Sequence, residues 1–242
     1  DEIAGTAFFV MDFLDGDLFW NPMIPSLSNQ DRTEIYQNKN KTLALLHGVD
    51  YKKIGLEDYG KPGNYVARQV ARWSKQYRAS ETDDIEAMNN LIDWLPKNIP
   101  DDDETSIVHG DYRLDNMILK NNQVMGILDW ELSTLGHPIA DFSYHCLSWR
   151  TQEAFWNQAK LKELGIPSEK EYMDMYCENT GKDLSKNWEF YMAFNMFKIA
   201  GILQGILGRV RDGTASSKHA EDRGMMVYPL SEAAWNTIEE NF

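Results

Sequence analysis

Hydrophobic and polar positions along the chain follow a helical period in several long segments. Between residues 64 and 79, Val66, Val70, Trp73 and Tyr77 recur at steps of four, three and four. Residues at this spacing lie on one face of an α-helix, because the helix has a period of about 3.6 residues. The pattern therefore predicts an amphipathic helix over 64–79.

Three further segments have a helical pattern. A helix over about 31–47 follows Ser28 or Asn29, and either side chain can cap its N-terminus. The stretch 84–96 repeats the helical spacing, and a long apolar segment covers 188–208. Helices thus dominate both sides of the chain's middle.

Short β-rich segments interrupt the helices. They are 6–14, 105–110, 116–120 and 123–130. Asn121-Asn122 joins the last two, and asparagine tolerates the positive φ of a tight hairpin turn. We therefore predict an α+β fold that is mainly helical, with a small β-hairpin insert in one domain and an unpaired strand near residue 6.

Composition limits the classes of function. The chain is 43% hydrophobic and has a formal net charge of −14, which argues against a nucleic-acid partner because phosphates require a basic surface. We expect no membrane span, and the first ten residues lack a signal-peptide pattern, so we expect a cytoplasmic protein. Cys146 and Cys177 are not spaced as zinc ligands.

Polar residues crowd the turn after the strand that begins at 105. The segment IVHGDYRLDN contains His109, Asp111 and Asn116, and the predicted hairpin folds Asp129 back towards them. One carboxylate is then available to accept a proton, and carboxylate and amide oxygens are ligands that suit magnesium. Phosphoryl transfer requires such positioning and charge neutralisation.

The motif HGDYRLDN, followed by LDWE, resembles the HGDxxxxN and D-[FW]-[DE] motifs of the aminoglycoside phosphotransferase and choline kinase group. These enzymes are small-molecule relatives of protein kinases. The resemblance implies that Asp111 orients and deprotonates a substrate hydroxyl and that His109 braces the loop. It also implies that Asn116 and Asp129 hold Mg²⁺ on ATP, with Glu131 as a weaker candidate.

The resemblance extends to the start of the chain. TAFFVMDFLDG resembles the last strand of a kinase N-terminal lobe and the hinge, which implies one unit over 1–16 and a helical C-terminal lobe over 17–242 with its catalytic loop at 107–131. The hinge backbone that would meet adenine comprises Met11, Asp12, Phe13 and Leu14. We expect the rest of the N-terminal lobe, with its phosphate-binding lysine, to be absent, so that this chain alone would bind ATP weakly and turn over little.

Other segments resemble one branch of the group, the phosphotransferase-like domains beside or fused to acyl-CoA dehydrogenases. These segments are 43–77, 94–100, 136–144 and 202–217. The branch implies a hydroxyacyl-CoA or related metabolite as the acceptor and an acyl-CoA dehydrogenase as a partner. In this group the aspartate matching Asp141 supports the catalytic loop through backbone hydrogen bonds.

Two arginines near the end of the long apolar segment allow two interpretations. Arg209 and Arg211 could hold an anionic substrate such as a CoA ester, or they could be solvated cations that favour a helix C-terminus. The nearby glycines at 201, 205 and 208 indicate close helix packing rather than a phosphate-binding loop, because no strand precedes them.

The sequence favours an ATP- and Mg²⁺-dependent O-phosphotransferase that acts on a small-molecule hydroxyl. The alternative is a non-catalytic, pseudokinase-like module that binds a nucleotide, an acyl-CoA or a protein. A metal-dependent hydrolase is weaker, because the polar cluster contains only one histidine. We also expect an apolar surface near the hinge to promote a homodimer.

Overall fold

The computed structural model describes Gly5, Phe8 and residues 10–242. In these residues the helices are α1 Asn29–His47, α2 Tyr65–Ser80, α3 Glu86–Trp94, α4 Pro138–Cys146, α5 Ser148–Thr151, α6 Gln158–Glu163, α7 Glu169–Thr180, α8 Trp188–Arg211, α9 Ala220–Met225 and α10 Val227–Asn241. The strands are β1 Ser106–Val108, β2 Met117–Lys120, β3 Gln123–Ile127 and β4 Thr134–Gly136. The predicted mainly helical α+β class is confirmed.

Helix α1 begins where its sequence provides a cap. The Ser28 side chain accepts the backbone N–H of Asp31, and the Asp31 carboxylate accepts the backbone N–H of Ser28. This reciprocal capping box satisfies two donors that the first turn would otherwise leave unpaired. Gly48 follows the last helical residue, so both ends lie close to the predicted limits.

The strands form two small antiparallel sheets. Strand β2 pairs with β3, and the turn residues Asn121 and Asn122 have φ values of 51° and 62°, as predicted for a tight hairpin. Strand β1 pairs with β4, with Ile107 opposite Leu135. The sequence did not indicate β4, because three residues are too few to establish an alternating pattern.

The strand predicted over 6–14 is wrong for the residues that the structure describes. Positions 8 and 10–14 form no strand, since a strand needs a neighbour to accept and donate its backbone hydrogen bonds. Pairing begins only at Asp17, whose backbone exchanges two hydrogen bonds with Leu119 at 2.7 and 2.9 Å. Residues 6, 7 and 9 of this prediction lie outside the described residues.

Helix α8 is the central helix of the core. It is apolar enough to span a membrane by length and composition, yet 67% of its most apolar window is buried inside the fold, where α2, α4 and α10 pack against it. Gly201 lies against Trp73, and Gly208 lies against Ser80. These contacts confirm close helix packing at Gly201 and Gly208, whereas an added Cβ at Gly205 would meet only the Arg209 side chain of the same helix.

Candidate active site

Asp141, on the first turns of α4, holds the start of the catalytic loop. Its buried carboxylate accepts the backbone N–H groups of His109 and Gly110 at 2.9 and 2.8 Å, and the Nε2 atom of His47 lies 3.1 Å away. Burial alone would raise the pKa of Asp141, but these hydrogen bonds and the His47 charge hold it below its ordinary value. The aspartate therefore supports the loop from below, as the resemblance implied.

His109 connects the loop that carries Asp111 to the end of the hairpin that precedes Asp129. Its Nδ1 accepts the backbone N–H of Asp111 at 3.2 Å, so its Nε2–H donates to the carbonyl oxygen of Leu128 at 2.9 Å. The N–H of Leu128 in turn donates to the carbonyl oxygen of Asn116 at 2.8 Å. The fully buried imidazole thus braces the loop against the residue that precedes Asp129.

Asp111 presents a largely shielded carboxylate, whose side chain is 17% exposed. The hydroxyl of Tyr144 donates to Oδ1 at 2.9 Å, and the amide of Asn116 donates to Oδ2 at 3.1 Å. The Nε atom of Arg113 lies 3.4 Å from Oδ1. A carboxylate held in this way can orient a hydroxyl group and accept its proton.

The predicted magnesium ligands, Asn116 and Asp129, are brought together by the backbone hydrogen bond from Leu128 to Asn116, because Asp129 directly follows Leu128. The amide nitrogen of Asn116 donates to Asp111, which leaves its amide oxygen as the available metal ligand. Asp129 has φ 64° and ψ 56°, and this left-handed conformation ends the hairpin with an exposed carboxylate. Glu131 is exposed in the following turn, Trp130–Leu132.

These two oxygen donors fit a magnesium ion that is shared with phosphates. Within the described residues, no group of three or more His, Cys, Asp or Glu side chains could hold a metal by itself. Mg²⁺ commonly binds one or two protein oxygens together with substrate phosphates, so the small donor set matches a nucleotide-dependent site.

The segment predicted to meet adenine lies beside the β2–β3 hairpin. Met11 and Phe13 are exposed, and Phe13 is 90% exposed. The side chain of Leu14 packs over Gly126, where an added Cβ would come within 2.3 Å of it. The adenine contacts of Met11, Asp12, Phe13 and Leu14 stay a prediction.

The predicted substrate arginines lie at the far end of α8. Arg211 donates to the carbonyl oxygen of Glu81 at 2.9 Å, next to the end of α2. Along the helix it lies thirteen residues beyond Lys198, or roughly 20 Å at 1.5 Å per residue. The structure therefore does not bring Arg209 and Arg211 together with the catalytic loop, and their substrate role stays a prediction.

Two residues near Asp111 were missed by the sequence. Tyr144 lies in GHPIADFSY, but only the packing of α4 shows that its hydroxyl contacts Asp111. Lys198 is the one lysine in the apolar α8, eleven residues before Arg209, and its Nζ lies 4.6 Å from the centre of the Tyr144 ring. A lone lysine in a buried helical pattern is the signal that could have indicated it.

A family model described as "APH: Phosphotransferase enzyme family" matches residues 1–176. The chain belongs to the APH phosphotransferase family. Its structure superposes on a crystal structure from Ralstonia eutropha JMP134, described as "a putative aminoglycoside phosphotransferase", with a TM-score of 0.92 and 49% identity, covering 96% of this chain and 73% of the other. The APH family assignment and this neighbour confirm the kinase-like fold.

Curated relatives of this APH-family chain are larger proteins. Mouse "Acyl-CoA dehydrogenase family member 10" is 43% identical over 97% of this chain and 22% of its own length. Human "Acyl-CoA dehydrogenase family member 11" is 40% identical over 99% of this chain and 32% of its own length. The chain therefore spans a third or less of these two relatives. A choline kinase from Cryptosporidium parvum, 12% identical with a TM-score of 0.58, shares the fold over 94% of this chain and 70% of its own.

Proposed function

We propose that this chain transfers the γ-phosphate of ATP to a hydroxyl group of a small molecule in a Mg²⁺-dependent reaction. The observation that carries the proposal is the geometry at Asp111. Its carboxylate lies between the Tyr144 hydroxyl and the Asn116 amide, on a loop that Asp141 and His109 hold rigidly. The APH family assignment supports phosphotransfer as the reaction class.

Each residue has a defined task in this reaction, and Asn116 has two. Asp111 orients the acceptor hydroxyl and takes its proton as the oxygen attacks the γ-phosphorus of ATP, whose bond to the bridging oxygen breaks to release ADP. Tyr144 and Asn116 fix the two carboxylate oxygens and so preserve their direction. Asn116 and Asp129 would hold Mg²⁺, which when bound neutralises charge on the ATP phosphates.

The charges near Asp111 favour an acceptor that bears an anionic group. The pKa of Lys198 is lowered by burial, while the negative charges of Asp141 and Asp111 counteract this effect. Among the described residues no carboxylate lies within 4.0 Å of its Nζ atom, so its positive charge is available to a ligand. A hydroxyacyl-CoA fits this charge better than a polycationic aminoglycoside.

The names of the relatives support the same class of acceptor. Both curated relatives are acyl-CoA dehydrogenase family members, so an acyl-CoA is a reasonable metabolite for a domain that occurs in them. We further propose an acyl-CoA dehydrogenase unit as the partner of this domain, either in the same polypeptide or as a separate chain.

The test is phosphorylation of a panel of hydroxyacyl-CoAs and aminoglycosides with ATP and Mg²⁺, with the phosphate ester identified by mass spectrometry. We expect a phosphorylated hydroxyacyl-CoA, and a loss of about 10²-fold or more in kcat for Asp111→Asn. Asp93→Asn, at an exposed position of α3 away from the loop, is the control. Binding of ATP without phosphorylation of any acceptor would instead favour a non-catalytic binding module.

Lys198→Met tests the acceptor class separately. We expect the KM for a hydroxyacyl-CoA to rise by more than kcat falls, because the lysine is assigned to binding and not to proton transfer. If only aminoglycosides are phosphorylated, the proposed phosphotransfer stands, but the proposal of an anionic acceptor is wrong.

A further inference from the structure

The buried face of α1 is unusually polar. Arg32, Lys39, Asn40 and His47 all lie in the interior. The guanidinium of Arg32 donates to three backbone carbonyls and one amide oxygen, Asn40 donates to a carbonyl at 2.8 Å, and both ring nitrogens of His47 have partners. Lys39 differs from the other three.

The Nζ atom of Lys39 has no hydrogen-bond acceptor and no carboxylate within 4.0 Å among the residues that the structure describes. Two aromatic rings lie close to it, since Nζ lies 4.0 Å from the centre of the Tyr36 ring and 5.7 Å from that of Tyr172. The residue is 3% exposed. Burial lowers the pKa of Lys39 to about 7. A buried ammonium without an anion is costly, so its retention needs a reason.

Lys39 lines a cavity of about 150 Å³ that reaches the catalytic loop. Arg113, Ser148, Trp149 and Trp20 form other parts of its wall. Its volume lies below the roughly 300–1,000 Å³ of pockets for drug-sized ligands, so it suits a small group. The cavity is separate from the Asp111 carboxylate, which does not line it.

Several donors face this cavity in an otherwise acidic chain. Arg113 offers a guanidinium, of which Nη2 contacts Asp115 at 2.9 Å and Nε lies near Asp111. The Ser148 hydroxyl accepts a weak bond from Gln152 at 3.5 Å, so its own proton is available. The Asp115 carboxylate also lines the cavity and pairs with Arg113, so the positive charge that lacks a carboxylate partner in this wall is that of Lys39.

We propose that this cavity binds a phosphate-sized oxyanion between the ammonium of Lys39 and the guanidinium of Arg113. An oxyanion gives Lys39 the hydrogen-bond acceptor that the fold does not supply, and the N–H groups of Arg113 and the Ser148 hydroxyl provide further donors. The oxyanion is either a free ion or the anionic arm of a larger molecule that also reaches the loop. This inference does not depend on the proposed function, because binding is measured without ATP or an acceptor.

The test is isothermal titration of the whole chain with inorganic phosphate and, separately, with glycerol 3-phosphate, in an oxyanion-free buffer. We expect measurable binding by the wild type and at least tenfold weaker binding by Lys39→Met, which keeps the shape of the side chain and removes its charge. Lys170→Met removes one exposed positive charge and is the matched control, with unchanged affinity expected. If glycerol 3-phosphate binds more strongly than phosphate, the site holds the anionic arm of a larger molecule. If phosphate binds equally well or more strongly, the site holds a free ion.

A second variant protects the test against a folding defect. Arg113→Gln changes a half-exposed side chain and should weaken phosphate binding severalfold while circular dichroism stays native. No binding to the wild type at millimolar phosphate, or equal binding to wild type and Lys39→Met, would overturn the proposal. Lys39 would then be a deprotonated amine that fills an aromatic pocket.

Discussion

The Oδ2 atom of Asp141 accepts the backbone N–H of His109 at 2.9 Å and thereby ties helix α4 to the catalytic loop. The other carboxylate oxygen accepts the N–H of Gly110 at 2.8 Å. Two adjacent backbone donors are thus satisfied by a single buried side chain. The position of Asp111, the next residue, follows from this support.

Asp141→Asn should destabilise the fold, because its amide oxygen can accept only one of the two backbone N–H groups and its amide nitrogen then faces the other as a second donor. We expect a loss of about 3 kcal/mol in the free energy of unfolding at pH 7, measured by urea denaturation. Asp93→Asn, at an exposed position of α3, should change it by less than about 0.5 kcal/mol. Equal effects of the two substitutions would contradict the assigned role.

The wild type and Asp141→Asn should also differ in how their free energies of unfolding depend on pH. The folded-state pKa of Asp141 lies below its ordinary value of 3.8, so its carboxylate stabilises the fold above that pH. This contribution is lost as the pH falls through the folded-state pKa. The stability difference between wild type and Asp141→Asn should therefore shrink in acid below pH 3.8, and a constant difference down to pH 2 would be inconsistent with the lowered pKa.

Gly110→Ala should distort the loop. Gly110 has φ 85°, and an added Cβ would lie 2.7 Å from the carbonyl oxygen of Leu132. Gly55 also has a positive φ of 73°, but nothing lies within 4 Å of an added Cβ there. We expect Gly55→Ala to cost about 1 kcal/mol from backbone strain alone and Gly110→Ala to cost clearly more. Thermal unfolding of the two variants measures the difference, and equal costs would show that the loop adapts.

Lys39→Met should stabilise the protein at neutral pH. Burial lowers the folded-state pKa of Lys39 from 10.5 to about 7, so between these values the unfolded chain holds a proton that the folded chain does not. The free energy of unfolding of the wild type therefore increases as the pH rises across this window, whereas that of Lys39→Met does not. In oxyanion-free buffer the variant should be more stable by about 2–4 kcal/mol at pH 7, with a gap that narrows towards pH 10.

The control for this experiment is Lys170→Met, because Lys170 is exposed and pairs with Asp174 one helical turn away. Its stability difference from the wild type should stay near zero from pH 7 to 9. A gap for Lys39→Met that widens as the pH rises would mean that the ammonium is stabilised in the fold rather than penalised.

Local patterns allowed the sequence to predict much of this structure. The helical period of Val66, Val70, Trp73 and Tyr77 identified α2, and Asn121-Asn122 identified the hairpin turn. The strand prediction is wrong at the described positions 8 and 10–14, because β-propensity reflects a suitable side-chain pattern, whereas a strand also needs a partner. Strand β4 was too short to give a pattern.

The site was predictable only where its residues are close in sequence. His109, Asp111 and Asn116 share one loop, and a hairpin of known turn type returns Asp129 to them. Tyr144 and Lys198 contact the site through the packing of α4 and α8, which no local pattern specifies. The burial of Lys39 without a carboxylate partner in the described part of the chain likewise depends on tertiary packing, which the sequence pattern does not specify.

The most direct test of the central claim is isothermal titration of the chain with ATP, with and without Mg²⁺, for the wild type, Asp129→Asn and the exposed control Asp93→Asn. If the catalytic loop holds magnesium on the nucleotide, Mg²⁺ will strengthen ATP binding by the wild type and by Asp93→Asn, and this gain will be lost in Asp129→Asn. The same magnesium-dependent gain in Asp129→Asn as in the wild type would contradict the assigned site.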